Sequence, residues 1–122
     1  MTKKSVLVVD DTESNIDMLV EFLGDDYEVS VAMDGETALE IANDDLPDLI
    51  LLDIMMPDMD GYEVCRNLKE SDKTKHIPIM FLTGATDDAS REKGLGLGAV
   101  DYILKPIDQN RLQSKVNGFF NL

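Results

Sequence analysis

The chain has 122 residues, 25 of them acidic and 11 basic, for a net charge of −14, and 43% of it is hydrophobic. That length suits one domain, and the apolar content excludes a disordered acidic tail. The charge argues against direct nucleic-acid binding, which needs Lys and Arg, and against adhesion to an anionic membrane.

The acidity is lopsided. Residues 1–65 hold 18 acids and two bases, while residues 66–122 hold seven acids and nine bases. An evenly solvated surface would not divide this way. Cys65 is the one cysteine, which excludes an internal disulfide and a zinc site and fits a reducing, cytoplasmic setting. The basic start, Met1 to Ser5, precedes too short an apolar stretch for a signal peptide. No apolar run approaches the ~18 residues of a membrane span.

Taken in order, the chain alternates strands and helices. Val6–Val9 is continuously apolar, as strands buried on both faces are, and it ends in Asp10-Asp11. Ile16, Leu19, Val20 and Leu23 predict a first helix, stopped at Gly24. Val29–Ala32 is a second strand, and Ala38, Ile41 and Ala42 mark a weaker helix closed by Leu46-Pro47. Leu49–Leu52 is a third strand, ending in Asp53, and Val64, Cys65 and Leu68 mark a helix opening at Asp60-Gly61. Ile79–Leu82 is a fourth strand, ending in Thr83-Gly84. Asp87 or Asp88 is the expected cap of a fourth helix that Gly94, Gly96 and Gly98 weaken. Val100–Leu104 is a fifth strand, followed by Lys105-Pro106; Leu112, Val116, Phe119 and Phe120 mark a last helix capped by Asp108. The apolar end, Gly118 to Leu122, reads as a cut and leaves room for a larger parent protein.

Five β-α units predict a doubly wound, five-stranded parallel sheet of order 2-1-3-4-5, flanked by helices on both faces, a flavodoxin-like α/β fold. Ligands of such sheets sit beyond the carboxyl ends of the strands. The polar residues expected there are Asp10, Asp11, Asp53, Thr83 and Lys105. Carboxylates gathered at one rim repel each other, and a hard divalent cation such as Mg²⁺ resolves the repulsion; without His or Cys nearby, zinc or copper does not fit. Lys105 adds a fixed positive charge and Thr83 a hydroxyl donor, which together suit a phosphoryl group beside a metal. Asp53, central and outside the Asp10-Asp11 pair, is the candidate nucleophile for an acyl phosphate.

Each residue alone has a plainer reading: Asp11 as a helix cap, Asp53 as a turn residue before Met56-Pro57-Asp58, Lys105 as a surface lysine. Four strand ends agreeing in one chemistry outweigh those readings. His76, ahead of strand 4, reads as a surface loop residue, and Cys65 as packing. Met55, Met56 and Met59 read as gap-fillers near the site, and Asp25-Asp26 and Asp44-Asp45 as solvated turns.

The segments Val8 to Asp11, Leu51 to Gly61, Phe81 to Gly84 and Gly98 to Pro106, in this order and spacing, resemble response-regulator receiver domains of two-component signalling, the CheY-like family. The resemblance covers essentially the whole chain and implies a single receiver domain over residues 1–122. It implies that Asp53 takes a phosphoryl group from a phosphohistidine, and that Asp10, Asp11, Asp53 and the Met55 carbonyl hold Mg²⁺. Thr83 and Lys105 would contact phosphoryl oxygens, Gly84 would do so through its backbone, and Tyr102 would turn inward as an aromatic switch. A cis Lys105-Pro106 bond is also implied. Receivers commonly have Ala where this chain has Gly84, which implies a looser loop there. Asp34-Gly35, Leu46-Pro47-Asp48, Val64-Cys65-Arg66, His76-Ile77-Pro78 and Lys105-Pro106-Ile107-Asp108 are similar to receivers of the PleD and DivK type, the former preceding diguanylate cyclase domains.

The implied partners are a sensor histidine kinase or phosphotransfer protein and an output domain or target. A mixed-sign face of Arg91, Lys93, Asp101, Arg111 and Lys115 is where receivers dimerise or dock on phosphorylation. The expected function is therefore a cytoplasmic, phosphoryl-accepting switch rather than an enzyme. One rival, a Mg²⁺-dependent phosphohydrolase with an aspartyl nucleophile, wants an acid at position 55, where this chain has Met. The other, a flavodoxin-like FMN carrier, wants a phosphate loop where this chain has Asp10-Asp11-Thr12-Glu13, and flanking aromatics, whereas this chain has no Trp.

Overall fold

A computed structural model describes residues 3–84 and 88–120, with side chains described from residue 92 onward in the second segment. Asp87, the Asp88 and Arg91 side chains and residues 121–122 lie outside the described residues, and with them the expected cap of the fourth helix. Strands and helices alternate as β1 (Ser5–Val9), α1 (Glu13–Leu23), β2 (Glu28–Ala32), α2 (Gly35–Asp45), β3 (Leu49–Asp53), α3 (Gly61–Glu70), β4 (Ile79–Thr83), α4 (Asp88–Gly96), β5 (Asp101–Leu104) and α5 (Gln109–Phe120). All pairings are parallel and the strand order is β2-β1-β3-β4-β5, the order expected from the sequence.

The uninterrupted apolar strands follow from two cores. Val6, Val8, Leu51 and Leu82 pack with Ile16, Leu19 and Leu23 of α1 and Leu112 and Val116 of α5. Leu7, Val9, Leu52 and Phe81 pack with Ala38 and Ala42 of α2 and with Val64, Cys65 and Leu68 of α3. Successive strand residues face opposite sides, so a strand between two helical layers is apolar at every step. Burying each Val or Leu fully contributes roughly 1.5–3 kcal/mol. Among the described residues no helix is long and apolar enough to cross a membrane.

Aspartates start three helices. Asp34 accepts the Thr37 N–H at 2.7 Å, Asp60 the Glu63 N–H at 2.9 Å and Asp108 the Arg111 N–H at 2.9 Å. Each satisfies an otherwise unpaired N–H of a first turn. The Thr37 N–H holds the Asp34 carboxyl below its ordinary range. Leu46, at φ 49°, takes the left-handed turn that ends α2 ahead of Pro47.

The structure departs from the apolar periodicity in a few places. Val20 and Phe119 are 37% and 40% exposed, because they lie at the outer edges of their helical stripes. Val100 falls before β5, although its N–H still reaches the Ile79 carbonyl at 2.8 Å. β3 and β4 run one residue past their apolar runs and take in Asp53 and Thr83. α4 continues through Gly94 because a Cβ there would stand 2.8 Å from the Phe81 ring, so the residue that weakens the helix also lets it approach the sheet.

Candidate functional site

Register builds the site. Val9 of β1 pairs with Leu52 of β3, so Asp10 and Asp53 leave adjacent strands at the same level. Leu104, the last residue of β5, pairs with Thr83, and Lys105 follows it. The Lys105 N–H donates to the Thr83 carbonyl at 2.8 Å, and the Lys105-Pro106 bond is cis.

Asp10 is 0% exposed and Asp53 2%, whereas Asp11 is open to solvent, and the three place carboxylate oxygens within 4.8 Å of one another. Lys105 bridges the two buried acids, its Nζ 2.8 Å from Asp53 Oδ1 and 3.2 Å from Asp10 Oδ2. Asp10 is further held by the Thr12 N–H on Oδ1 at 2.9 Å and by Asn15 Nδ2 on Oδ2 at 3.2 Å. The Met55 N–H lies 3.4 Å from Asp53 Oδ1.

Two unit charges 4.8 Å apart repel by about 3.5 kcal/mol at an effective dielectric near 20. Burial pushes the Asp53 carboxyl above its ordinary range; the Lys105 hydrogen bond opposes that and the Asp10 charge adds to it. Burial alone would lower the Lys105 ammonium, but its hydrogen bond to Asp53 and the charges of Asp53 and Asp10 raise it on balance. The lysine therefore stays charged at neutral pH and serves as the cation of an acid-rich pocket.

The backbone beneath Asp53 is fixed by Gly61. A Cβ at position 61 would lie 2.3 Å from the Asp53 carbonyl oxygen and 2.8 Å from Ile54 Cα. The Gly61 N–H donates to the Ile54 carbonyl at 2.9 Å, and Asp58 turns the intervening loop at φ 67°.

The other expected site residues fall around this centre. Thr83 is buried at the end of β4, and Gly84 beside it is exposed, with open space where a Cβ would be. Thr83 and the half-buried Tyr102 line one small cavity with Ile54, Phe81 and Gly94. The Met55 side chain is 79% exposed, while Met56 and Met59 pack against the core. His76 is exposed in a turn, and Cys65 is buried, its thiol pushed up by burial. On the mixed-sign face, Lys115 pairs with Asp101 at 3.0 Å and sits 5.0 Å over the Tyr102 ring. Lys93 instead stacks 4.3 Å over Tyr62 of α3.

Sequence reasoning missed Asn15 and the close packing of Gly61. It also missed Lys69, whose Nζ caps the Lys75 and Ile77 carbonyls at 3.2 and 3.0 Å. The signal for Asn15 was its place in the first turn of α1, five residues after Asp10. An all-oxygen set of two buried carboxylates and one exposed carboxylate suits a hard divalent cation. The acidic β1–α1 turn suits neither a flavin phosphate nor direct anion binding.

An acidic pocket with one lysine, at the carboxyl edge of this doubly wound sheet, defines a phosphoacceptor-type receiver. Residues 6–117 match the response regulator receiver domain family, and the chain belongs to it. The response regulator PleD of Caulobacter vibrioides is 50% identical over 112 residues, covering 91% of this chain and 25% of PleD. The chain thus spans about a quarter of that relative's length. Chemotaxis protein CheY4 of Vibrio cholerae superposes with a TM-score of 0.91 at 32% identity, covering 96% of this chain and 98% of CheY4. The receiver domain of sensor histidine kinase PA1611 from Pseudomonas aeruginosa, which has magnesium coordinated in its active-site cleft, superposes with a TM-score of 0.88 at 28% identity, covering 99% and 100% of the two chains. The chain is a receiver domain of two-component response regulators, and its acidic pocket fits a phosphoacceptor site; the phosphohydrolase and flavin-carrier readings are not favoured.

Proposed function

We propose that Asp53 accepts a phosphoryl group from the phosphohistidine of a sensor kinase or phosphotransfer protein, and that Asp10, Asp11, Asp53 and the Met55 carbonyl hold a Mg²⁺ ion. The observation that carries this is the gathering of three carboxylates within 4.8 Å around one lysine. Bound there, Mg²⁺ supplies positive charge that offsets repulsion between the carboxylates and an incoming phosphoryl group.

The Asp53 carboxylate attacks phosphorus; its new O–P bond forms as the P–N bond breaks, and the electron pair stays on the imidazole. Both described contacts of Asp53 fall on Oδ1, which leaves Oδ2 to attack. Lys105 Nζ, already 2.8 Å from Asp53, takes up a phosphoryl oxygen as the charge of the side chain rises. The Thr83 hydroxyl and Gly84 N–H bind further oxygens. Movement of Thr83 changes the cavity it shares with Tyr102, and so biases α4, β5 and α5 between two arrangements.

This makes the chain a regulatory domain, assisting its own phosphotransfer, within a larger cytoplasmic regulator. Its output would pass through the α4-β5-α5 face to an output domain, a target protein or a second phosphorylated copy. The test is incubation with Mg²⁺ and acetyl phosphate, read by intact mass. A phosphoryl gain that Asp53→Asn abolishes supports the reading; no gain in a native protein with Mg²⁺ bound overturns it.

A further inference from the structure

We infer that Asn15 is a positioning residue for the cation site: it fixes Asp10 as the pre-set ligand and keeps it fixed when Lys105 turns to the phosphoryl group. The inference rests on the proposed Mg²⁺-dependent phosphoryl transfer and deepens it.

The two aspartates that end β1 are held in different ways. Asp11 is exposed and has no described hydrogen bond, so its carboxylate is free to adjust. Asp10 is wholly buried and has three donors: the Thr12 N–H on Oδ1, and Asn15 Nδ2 and Lys105 Nζ on Oδ2. A buried carboxylate is costly unless donors face it, and donors also fix its rotamer.

Of the two donors on Oδ2, only Asn15 is independent of the reaction. Lys105 is shared with Asp53, its nearer partner at 2.8 Å against 3.2 Å. A phosphoryl group on Asp53 draws Lys105 further toward itself and away from Asp10. Asn15 carries no charge, stands on the first turn of α1 and has no described hydrogen bond to Asp53, so phosphorylation does not draw it as it draws Lys105. Its amide must present nitrogen to Asp10, since a carboxylate only accepts.

Neutrality matters as well. A second cation at position 15 would hold Asp10 equally well but would compete with the metal for the same carboxylate. An amide orients the ligand without spending its charge. Partners of this kind typically change metal affinity by about 10–100-fold when removed.

The test compares native protein, Asn15→Ala and Asn15→Gln in Mg²⁺ titrations by calorimetry, alongside thermal unfolding in EDTA. The expected result is a roughly tenfold weaker Mg²⁺ affinity for Asn15→Ala, with only a small fall in the unfolding temperature in EDTA, because the Thr12 N–H and Lys105 still face Asp10. Asn15→Gln, which keeps the donor, recovers part of the affinity. Native-like Mg²⁺ affinity in Asn15→Ala overturns the inference and leaves the proposed function standing. An affinity loss matched by a lower unfolding temperature in EDTA, with no recovery in Asn15→Gln, also overturns it, because Asn15 would then be structural. If the native protein itself binds no Mg²⁺, the proposed function fails and the inference fails with it.

Discussion

Lys105→Met is the substitution that best probes the electrostatics of the pocket. Methionine keeps much of the lysine stem and removes only the ammonium, which lies 2.8 Å from Asp53 and 3.2 Å from Asp10. The two acids, 2% and 0% exposed, then face each other within 4.8 Å without a cation. Their repulsion is about 3.5 kcal/mol at an effective dielectric near 20. Breaking a fully buried pair costs about 3–5 kcal/mol. The Lys105 side chain is 24% exposed, so water relieves part of this, and the expected loss without metal at pH 7 is about 2–3 kcal/mol.

The pH dependence carries a sign. Burial already raises the Asp53 carboxyl, and removing Lys105 raises it further by taking away the largest opposing influence. An acid with a raised folded-state pKa disfavours folding once ionised, so the penalty is largest near neutrality and shrinks as pH falls through the carboxylate range. Lys105 in the native protein has a linkage of the same sign at higher pH, since stability falls there too as pH rises. Its raised value stabilises the fold fully below the unfolded-state pKa, and that contribution is lost as pH rises through the folded-state one. Urea unfolding in EDTA at pH 7 and at pH 4.5 measures the Asp53 linkage, and added Mg²⁺ should restore part of the loss at pH 7. A variant as stable as the native protein at pH 7, or one more destabilised at pH 4.5 than at pH 7, would refute this account.

Three further outcomes are expected. Gly61→Ala forces a methyl to 2.3 Å from the Asp53 carbonyl oxygen, and backbone cannot yield as a side chain does; the cost is about 3 kcal/mol or more in urea unfolding, and near-native stability would contradict the clash. Asp60→Ala removes the acceptor of the Glu63 N–H and should cost about 1 kcal/mol, with Asp60→Asn recovering most of it; equal losses in the two would show that the cap is not the cause. Cys65, buried with its thiol pushed up, should react with a thiol reagent only as fast as the protein unfolds, so that urea accelerates labelling in step with unfolding; rapid labelling of the folded protein would show the site to be open.

The architecture could be read from the sequence because two physical signals coincided. Val6–Val9 and Leu49–Leu52 are apolar at every position, and only a strand covered on both faces demands that. Between them, residues such as Ile16, Leu19 and Leu23 carry the helical spacing of a single apolar stripe. That Asp10, Asp11, Asp53 and Lys105 gather was legible by position, since the ends of parallel strands converge at one edge. What escaped was contact across long separations. Lys105 lies 52 residues from Asp53, and nothing in sequence spacing says that one ammonium serves two acids. Gly61 reads as an ordinary helix start, and its need to be glycine appears only when α3 is set against the end of β3. Tyr62, which the sequence did not single out, packs edge-on to Phe81 while Lys93 stacks on it, tying α3 to β4 and α4.

The bridge from Lys105 to Asp10 and Asp53 has a consequence for how the domain comes into being. The acids follow β1 and end β3, in the half of the chain that holds 18 acids and two bases, and their cation arrives only after β5. A chain emerging from the ribosome therefore has Asp10 and Asp53 well before it has the charge that makes them tolerable side by side. The last strand in the chain is the one that brings the cation, so the bridge forms only when β5 has joined the sheet. A receiver stalled before β5 docks would have both acids without the lysine that bridges them.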